Sequence, residues 1–308
     1  MYQGYYGLRQ RPFTLTSNPR YLLLTPAHAE ALGSLQYGLE ARIGIIVLLG
    51  ESGTGKTTVL RAALASQPAG HHVVWIHNPL LSRSDFFQHL THGFGLSAEA
   101  AASKTQFLWE LTRTLEERVR HGRHTSLIVD EAHALPRELL EEIRLLANIE
   151  TDEEKLLPVV LAGQPELGQR LNQPDLRQLK QRTALRCTLR ALKLRETADY
   201  IAGRIAIAGG EAARLFTGEA VKLIHQYSGG VPRTISVVCD NALVAGYAAE
   251  ERPVDVGTVR EVCGDLDLTM TEPAGDRGAQ PQPATSGSAG EGERRPARAA
   301  SFRRLFSL

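Results

Sequence analysis

GIIVLLGESGTGKTTVLRAALA, residues 44–65, is the stretch on which the reading of this chain turns. It opens on a continuous apolar run, the pattern of a strand buried on both faces. It closes on a helical pattern. Between the two, Gly50–Thr58 matches G-x-x-x-x-G-K-[ST], with Gly50, Gly55, Lys56 and Thr57 at the fixed positions. Glycines let the loop curl until several backbone N–H groups face one phosphate. The helix that follows adds the partial positive charge of its N-terminus. The spacing sets Lys56 to reach the β- and γ-phosphates of a nucleotide and the Thr57 hydroxyl to bind magnesium. Phosphate contacts are expected along the whole loop, from Gly50 through Glu51, Ser52, Gly53, Thr54, Gly55, Lys56 and Thr57 to Thr58. ATP and Mg2+ are the ligands this predicts.

Downstream, SLIVDEAH at 126–133 leads from a strand into two adjacent carboxylates. Asp130, at the strand tip, is expected to hold the magnesium, directly or through water. Glu131, one residue on, is expected to activate or orient the attacking water. His133 completes the letters DEAH. Without other helicase motifs it reads as a local contact near the nucleotide. VVLAGQPEL at 159–167 ends another apolar run in small residues and the amide of Gln164, which a neighbouring strand would deliver beside the γ-phosphate as sensor 1. LRQLKQRTALRCTLRAL at 176–192 carries Arg177, Arg182, Arg186 and Arg190. One arginine here is a candidate finger toward a neighbouring subunit's ATP, Arg182 first and Arg177 second. SGGVPRTI at 228–235 places Arg233 at the start of a helix, as sensor 2 against the γ-phosphate.

The apolar runs at 43–49, 73–76, 126–130, 157–163 and 185–189 alternate with helical patterns at about 56–66, 84–93, 104–120, 136–149 and 174–181. Strand and helix in alternation, with the P-loop joining the first strand to its helix, predict an α/β fold, a P-loop NTPase with a parallel sheet flanked by helices. After residue 190 only helical patterns remain, at about 196–208, 217–228, 232–249 and 255–265. They predict a small all-α lid. Pro232 suits a first-turn position after Gly229-Gly230, and Asp255 suits an N-cap. The expected organisation is an N-terminal segment packing on the core (1–40), a P-loop core (41–192), a helical lid (193–268) and a disordered tail (269–308). The tail is rich in Pro, Gly, Ala and Ser, which cannot bury enough surface to offset chain entropy. Its last residues, SFRRLFSL, read as a greasy free end or a short docking peptide.

Among 308 residues, 35 are basic and 34 acidic, for a formal charge of +1. That balance gives no whole-chain argument for nucleic acid or an anionic membrane. Three scattered cysteines make neither a disulfide framework nor a zinc site. The histidines at 71, 72, 77, 121 and 124 lack metal-ligand spacing. The N-terminus does not resemble a signal peptide, and the longest apolar run falls far short of the roughly 20 residues a membrane helix needs. A cytoplasmic protein without a membrane span is expected.

With these elements in order, the chain resembles the ExeA/GspA group of AAA+ ATPases, the general secretion pathway protein A family. The MshM type of pilus biogenesis and exosortase-linked ATPases are related to that group. The strings that carry the likeness are YYGLRQRPFTLTSNPRYL, HAEALGSLQYGL, GESGTGKTT, LIVDEAHAL, EEIRLLANIETDEEKLLPVVLAGQPELGQRL, LRQLKQR and GGVPRTISVVCDNAL. The resemblance covers roughly residues 1–265. It implies an ATPase core, a lid and a ring-type homo-oligomer, with Lys56, Thr57, Asp130 and Glu131 in the roles above. It implies a function in driving or regulating assembly of a bacterial envelope machine through a membrane or envelope partner protein. Members of the type II secretion branch continue into a transmembrane helix and a peptidoglycan-binding domain, and these 308 residues contain neither pattern. The alternative is a transposition- or replication-type AAA+ regulator that binds DNA and a recombinase, against which the near-neutral charge weighs.

Overall fold

A computed structural model describes residues 2–77 and 80–270. The expectations for 271–308, the disordered tail and its terminal SFRRLFSL, lie outside the described residues. The chain opens with α1 (Tyr2–Tyr6) and, after an irregular stretch, α2 (Pro26–Glu40). There follow β1 (Ile45–Gly50), α3 (Lys56–Ala65), β2 (His72–Ile76), α4 (Arg83–Phe94), α5 (Lys104–Arg120), β3 (Thr125–Val129), α6 (Arg137–Leu146), β4 (Val159–Gly163), α7 (Pro165–Arg170), α8 (Arg177–Gln181) and β5 (Thr183–Leu189). The rest is helical: α9 (Leu194–Ile207), α10 (Ala212–Leu215), α11 (Gly218–Ser228), α12 (Pro232–Ala248) and α13 (Val256–Asp265).

The strands form one parallel sheet in the order β2-β3-β4-β1-β5. Along β1 the side chains alternate between two cores. Ile45, Val47 and Leu49 face Phe86, Leu90, Phe107, Leu111 and Ile143 from α4, α5 and α6. Ile46 and Leu48 face Leu35 and Leu39 of α2 and Val59 and Leu60 of α3. This is the period-2 alternation of a strand covered on both sides. Local chemistry fixes the helix starts. The side chains of Thr25, Ser82, Ser103 and Thr217 each accept a first-turn N–H. Asp255 caps α13 through the Thr258 N–H, and Pro232 opens α12 after left-handed Gly229 and Gly230, both as the sequence predicts.

Two expectations need correction. The apolar run at 185–189 is not buried on both faces. In β5, Ala184, Arg186 and Thr188 are exposed, because this strand is the sheet's edge and one side has little to pack against. The N-terminal segment does not pack on the core as one piece. Tyr2, Tyr6, Leu8 and Phe13 join the apolar cluster of the C-terminal helices, with Ile201, Ile205, Val238 and Leu243, while only α2 lies on the sheet. The Tyr2 hydroxyl and the Arg11 guanidinium both bind Asp240 of α12, and the Arg9 N–H donates to Ala208 at 2.8 Å. Residues 14–25 therefore run from the helical part to the sheet as a strap.

Candidate functional site

In a parallel sheet the strand ends that carry the carboxyl direction lie together. Gly50 at the end of β1, Asp130 after β3 and Gln164 after β4 thus meet on one edge, with β4 seated between β1 and β3. The loop after β1 turns through Gly53 (φ +79°) and Gly55 (φ +100°), conformations that favour glycine. Gly55 stands at the N-cap of α3 with no side-chain acceptor, so the first N–H groups of that helix are left for another partner. A Cβ on Gly53 would come within 2.7 Å of the Arg233 Cβ, so the loop is pressed against the start of α12. The Arg233 N–H donates to the Gly53 carbonyl at 3.2 Å.

Lys56 is only 5% exposed. Its ammonium donates to the Gly50 and Glu51 carbonyls, at 2.8 and 3.2 Å. Burial pushes its pKa down, opposed by Glu131, Asp130, Glu51 and Glu166. The Thr57 hydroxyl donates to Asp130 Oδ2 at 2.7 Å, and Asp130 Oδ1 accepts the Glu131 N–H at 3.0 Å. A hydroxyl and a buried carboxylate in contact are the hard oxygen donors that a magnesium ion takes, alongside water and phosphate oxygens. Among the described residues no cluster of three or more His, Cys, Asp or Glu side chains is placed to hold a metal. The Thr57–Asp130 pair supplies two of the oxygens such an ion would need.

Glu131 adopts φ +54°, a left-handed conformation that costs a non-glycine residue about 1–3 kcal/mol. Its Oε2 is buried without a hydrogen bond. His133 Nδ1 lies 3.3 Å from that oxygen but also faces the Gln164 N–H at 3.4 Å, while His133 Nε2 lies 3.2 Å from the Gln164 amide nitrogen. A neutral imidazole has one donor and one acceptor. With Nδ1 accepting, Nε2–H donates, and the Gln164 amide turns its oxygen toward it. In that state the imidazole has no proton for Glu131, which agrees with the unpaired Oε2.

A cleft of about 180 Å³ is lined by Lys56, Thr57, Glu131 and Arg233, and by Thr14–Ser17 of the strap. A recess of about 60 Å³, walled by Tyr21, Leu22, Leu23 and Leu192, shares Tyr200, Arg204 and Pro232 with it. The structure thus brings Lys56, Thr57, Asp130, Glu131, Gln164 and Arg233 to one edge of the sheet. Arg177 and Arg182 are exposed and away from it. Ile45 pairs with Thr183 and Gly50 with Leu189, so Arg182 stands at the opposite end of β5 from the loop.

Sequence reasoning passed over the strap, His28, Tyr200 and Arg204. His28 is buried, receives the Thr25 hydroxyl at Nδ1 (2.7 Å) and donates from Nε2 to the Thr54 carbonyl (3.1 Å), bracing the phosphate loop. The spacing of Tyr200 and Arg204, four apart on one helix, was the available signal, but it is also the spacing of ordinary core contacts.

Fold and site together define a P-loop NTPase of the AAA+ class, a fold that implies nucleotide binding. The AAA domain family matches residues 41–171. In solved structures the chain is similar to Cdc6p of Pyrobaculum aerophilum (TM-score 0.66, 17% identity, 83% of this chain and 70% of that one). It is similar also to the ORC2 protein of Aeropyrum pernix, in a structure of its ADPNP and ADP complexes (TM-score 0.61, 17% identity, 85% and 73%). At that identity the likeness concerns the fold alone. General secretion pathway protein A of Aeromonas hydrophila is 40% identical over 278 residues, which is 90% of this chain and 49% of that protein. The chain is an ExeA/GspA-like AAA+ protein. It spans about half the length of the curated relative it matches.

Proposed function

We propose that the chain binds ATP with Mg2+ in this cleft and hydrolyses it to ADP and phosphate. We further infer that it uses the cycle to drive or regulate assembly of a bacterial envelope machine, in type II secretion, type IV pilus, exosortase or exopolysaccharide systems. The observation that carries the chemistry is the Thr57–Asp130 contact at 2.7 Å beside a buried, loop-bound Lys56. Similarity to a general secretion pathway protein supports the envelope assignment.

In this reading the amides of residues 51–58 and the Lys56 ammonium hold the phosphates. Thr57 and Asp130 hold the Mg2+, which neutralises charge on the phosphoryl oxygens when bound. The unpaired Oε2 of Glu131 is the acceptor for a proton of the attacking water. His133 and Gln164 hold the carboxylate's surroundings in place, so that a polar group at the end of β4 sits next to the base. Arg233 brings a cation from α12 to the phosphates. Arg182, or Arg177, reaches the cleft of the next copy in a ring, since neither serves its own. The chain works in the cytoplasm and meets the inner membrane through an envelope partner. Among the described residues no helix is long and apolar enough to cross a membrane.

The phosphate assignment is tested by equilibrium titration with a fluorescent ADP analogue and Mg2+. Lys56→Ala is expected to weaken binding by about a hundredfold or more, the scale of a lost charged hydrogen-bond donor in a dry site. Unchanged affinity would refute the assignment.

A further inference from the structure

Arg204, in the last turn of α9, is 7% exposed. It lines both the cleft and the adjoining recess. Its Nε donates to the Pro12 carbonyl at 2.7 Å and its Nη2 to the Thr14 carbonyl at 2.9 Å, so it grips the head of the strap. Its Nη1 donates to the Tyr200 hydroxyl and to Ser236 Oγ, the latter at 3.2 Å. The rings of Tyr21, Tyr200 and Phe13 lie 4.6, 5.4 and 5.9 Å from the guanidinium carbon.

Every one of these partners is neutral. No carboxylate among the described residues forms an ion pair with Arg204. A buried charge is costly unless an opposite charge answers it. Aromatic faces and carbonyls offset part of that cost through cation–π attraction and charge-assisted hydrogen bonds. The other buried cation of the cleft, Lys56, is faced by four carboxylates, whereas none among the described residues stands within ion-pair distance of Arg204. The C-terminal turn of α9, which carries Arg204, adds partial negative charge but no full one; a bound anion would supply a full charge, and the cleft that Arg204 lines is the one with the phosphate loop.

We propose that Arg204 is a further nucleotide-binding residue, whose uncompensated charge is answered by the bound nucleotide and which ties the strap to the occupied cleft. This rests on the phosphate reading above. The four donor contacts use four of the five N–H groups of the guanidinium, which leaves one for the cleft. Because the same group holds Pro12 and Thr14, a nucleotide that attracts it draws on the strap as well. Strap residues Thr14–Ser17 then belong to the nucleotide's enclosure rather than to a passive linker.

The charge role and a purely mechanical role differ in what lysine can replace. A lysine keeps the positive charge but cannot bridge two carbonyls with a planar fork. The fluorescent MgADP titration is run on the wild type, Arg204→Gln, Arg204→Lys and, as a control, Lys56→Ala. Arg204→Gln is expected to weaken binding about tenfold or more, and Arg204→Lys to stay within about threefold of wild type. An Arg204→Gln variant that binds like wild type overturns the proposal. So does an Arg204→Lys variant as weak as Arg204→Gln, since the group would then act only as a staple for residues 12–14. If Arg204→Gln does not fold, Arg204→Lys decides alone: binding near wild type supports the charge role and a tenfold loss overturns it. A wild type that binds no nucleotide, or a Lys56→Ala variant that binds normally, sinks the phosphate reading itself and this proposal with it.

Discussion

Lys56, Arg204 and His28 are all buried polar groups within one loop's reach of the cleft, and each is held by a different logic. Lys56 rests on carbonyls and faces acids. Arg204 rests on carbonyls and ring faces. His28 rests on neutrality: burial pulls its pKa below the ordinary 6.5, although the Thr54 carbonyl pulls the other way. His71, His124 and His225 are shifted down as well, first of all by burial. A histidine with a depressed pKa in the folded state takes up its proton first in the unfolded chain. Its contribution to stability is therefore complete above about 6.5 and is lost as pH falls from there toward the folded value. The shifted carboxylates Glu110, Glu141 and Glu150 act below their ordinary 4.5, so they leave the window between free for the histidines. The thermal unfolding midpoint is expected to drop steadily from about pH 7 to about pH 5. A flat midpoint over that range would contradict the neutral, buried state assigned to these rings.

At the scale of elements, the chain passes from the sheet to the helices through a tight crossing at Leu192 and Gly230. The Leu192 N–H donates to the Gly230 carbonyl at 2.8 Å, and Gly230 has φ +75°. A Cβ there would sit 2.0 Å from the Leu192 carbonyl oxygen, which cannot yield without moving the backbone. Gly230→Ala is expected to cost at least about 2 kcal/mol in urea unfolding, combining left-handed strain with overpacking. Gly33→Ala, on an open face of α2 with nothing within 4 Å, is expected to gain up to about 1 kcal/mol instead. Equal effects at the two sites would contradict the crossing as described. Elements of this kind were unevenly legible. The strands announced themselves as apolar runs and the long helices by period, because each buries a face along its length. Helix α1 did not, since its Tyr2 and Tyr6 are held by α12 and not by local pattern. Helix α7 was absent from the expected helical patterns, although Pro165 is a first-turn proline. The run at 185–189 carries an alternation of exposed Arg186 and Thr188 with buried Cys187 and Leu189 that marks an edge strand.

At the scale of the molecule, the cleft is made jointly. The sheet delivers Gly50, Asp130 and Gln164, the C-terminal helices deliver Arg233 and Arg204, and the strap closes the side between them. The sheet's contributions were readable because phosphate chemistry fixes their spacing within a few residues. The rest was not, because Arg204 meets Pro12 across 192 positions of chain and no local pattern encodes such a contact. The near-neutral charge remains a weak argument against a DNA partner, since a steep salt dependence would need a basic surface. The most direct test of the whole account is ATP turnover and nucleotide retention by Glu131→Gln beside the wild type. The account predicts that the variant still binds ATP with Mg2+ while hydrolysing it at least about a hundredfold more slowly, the usual worth of a positioned general base. Turnover at the wild-type rate would contradict it.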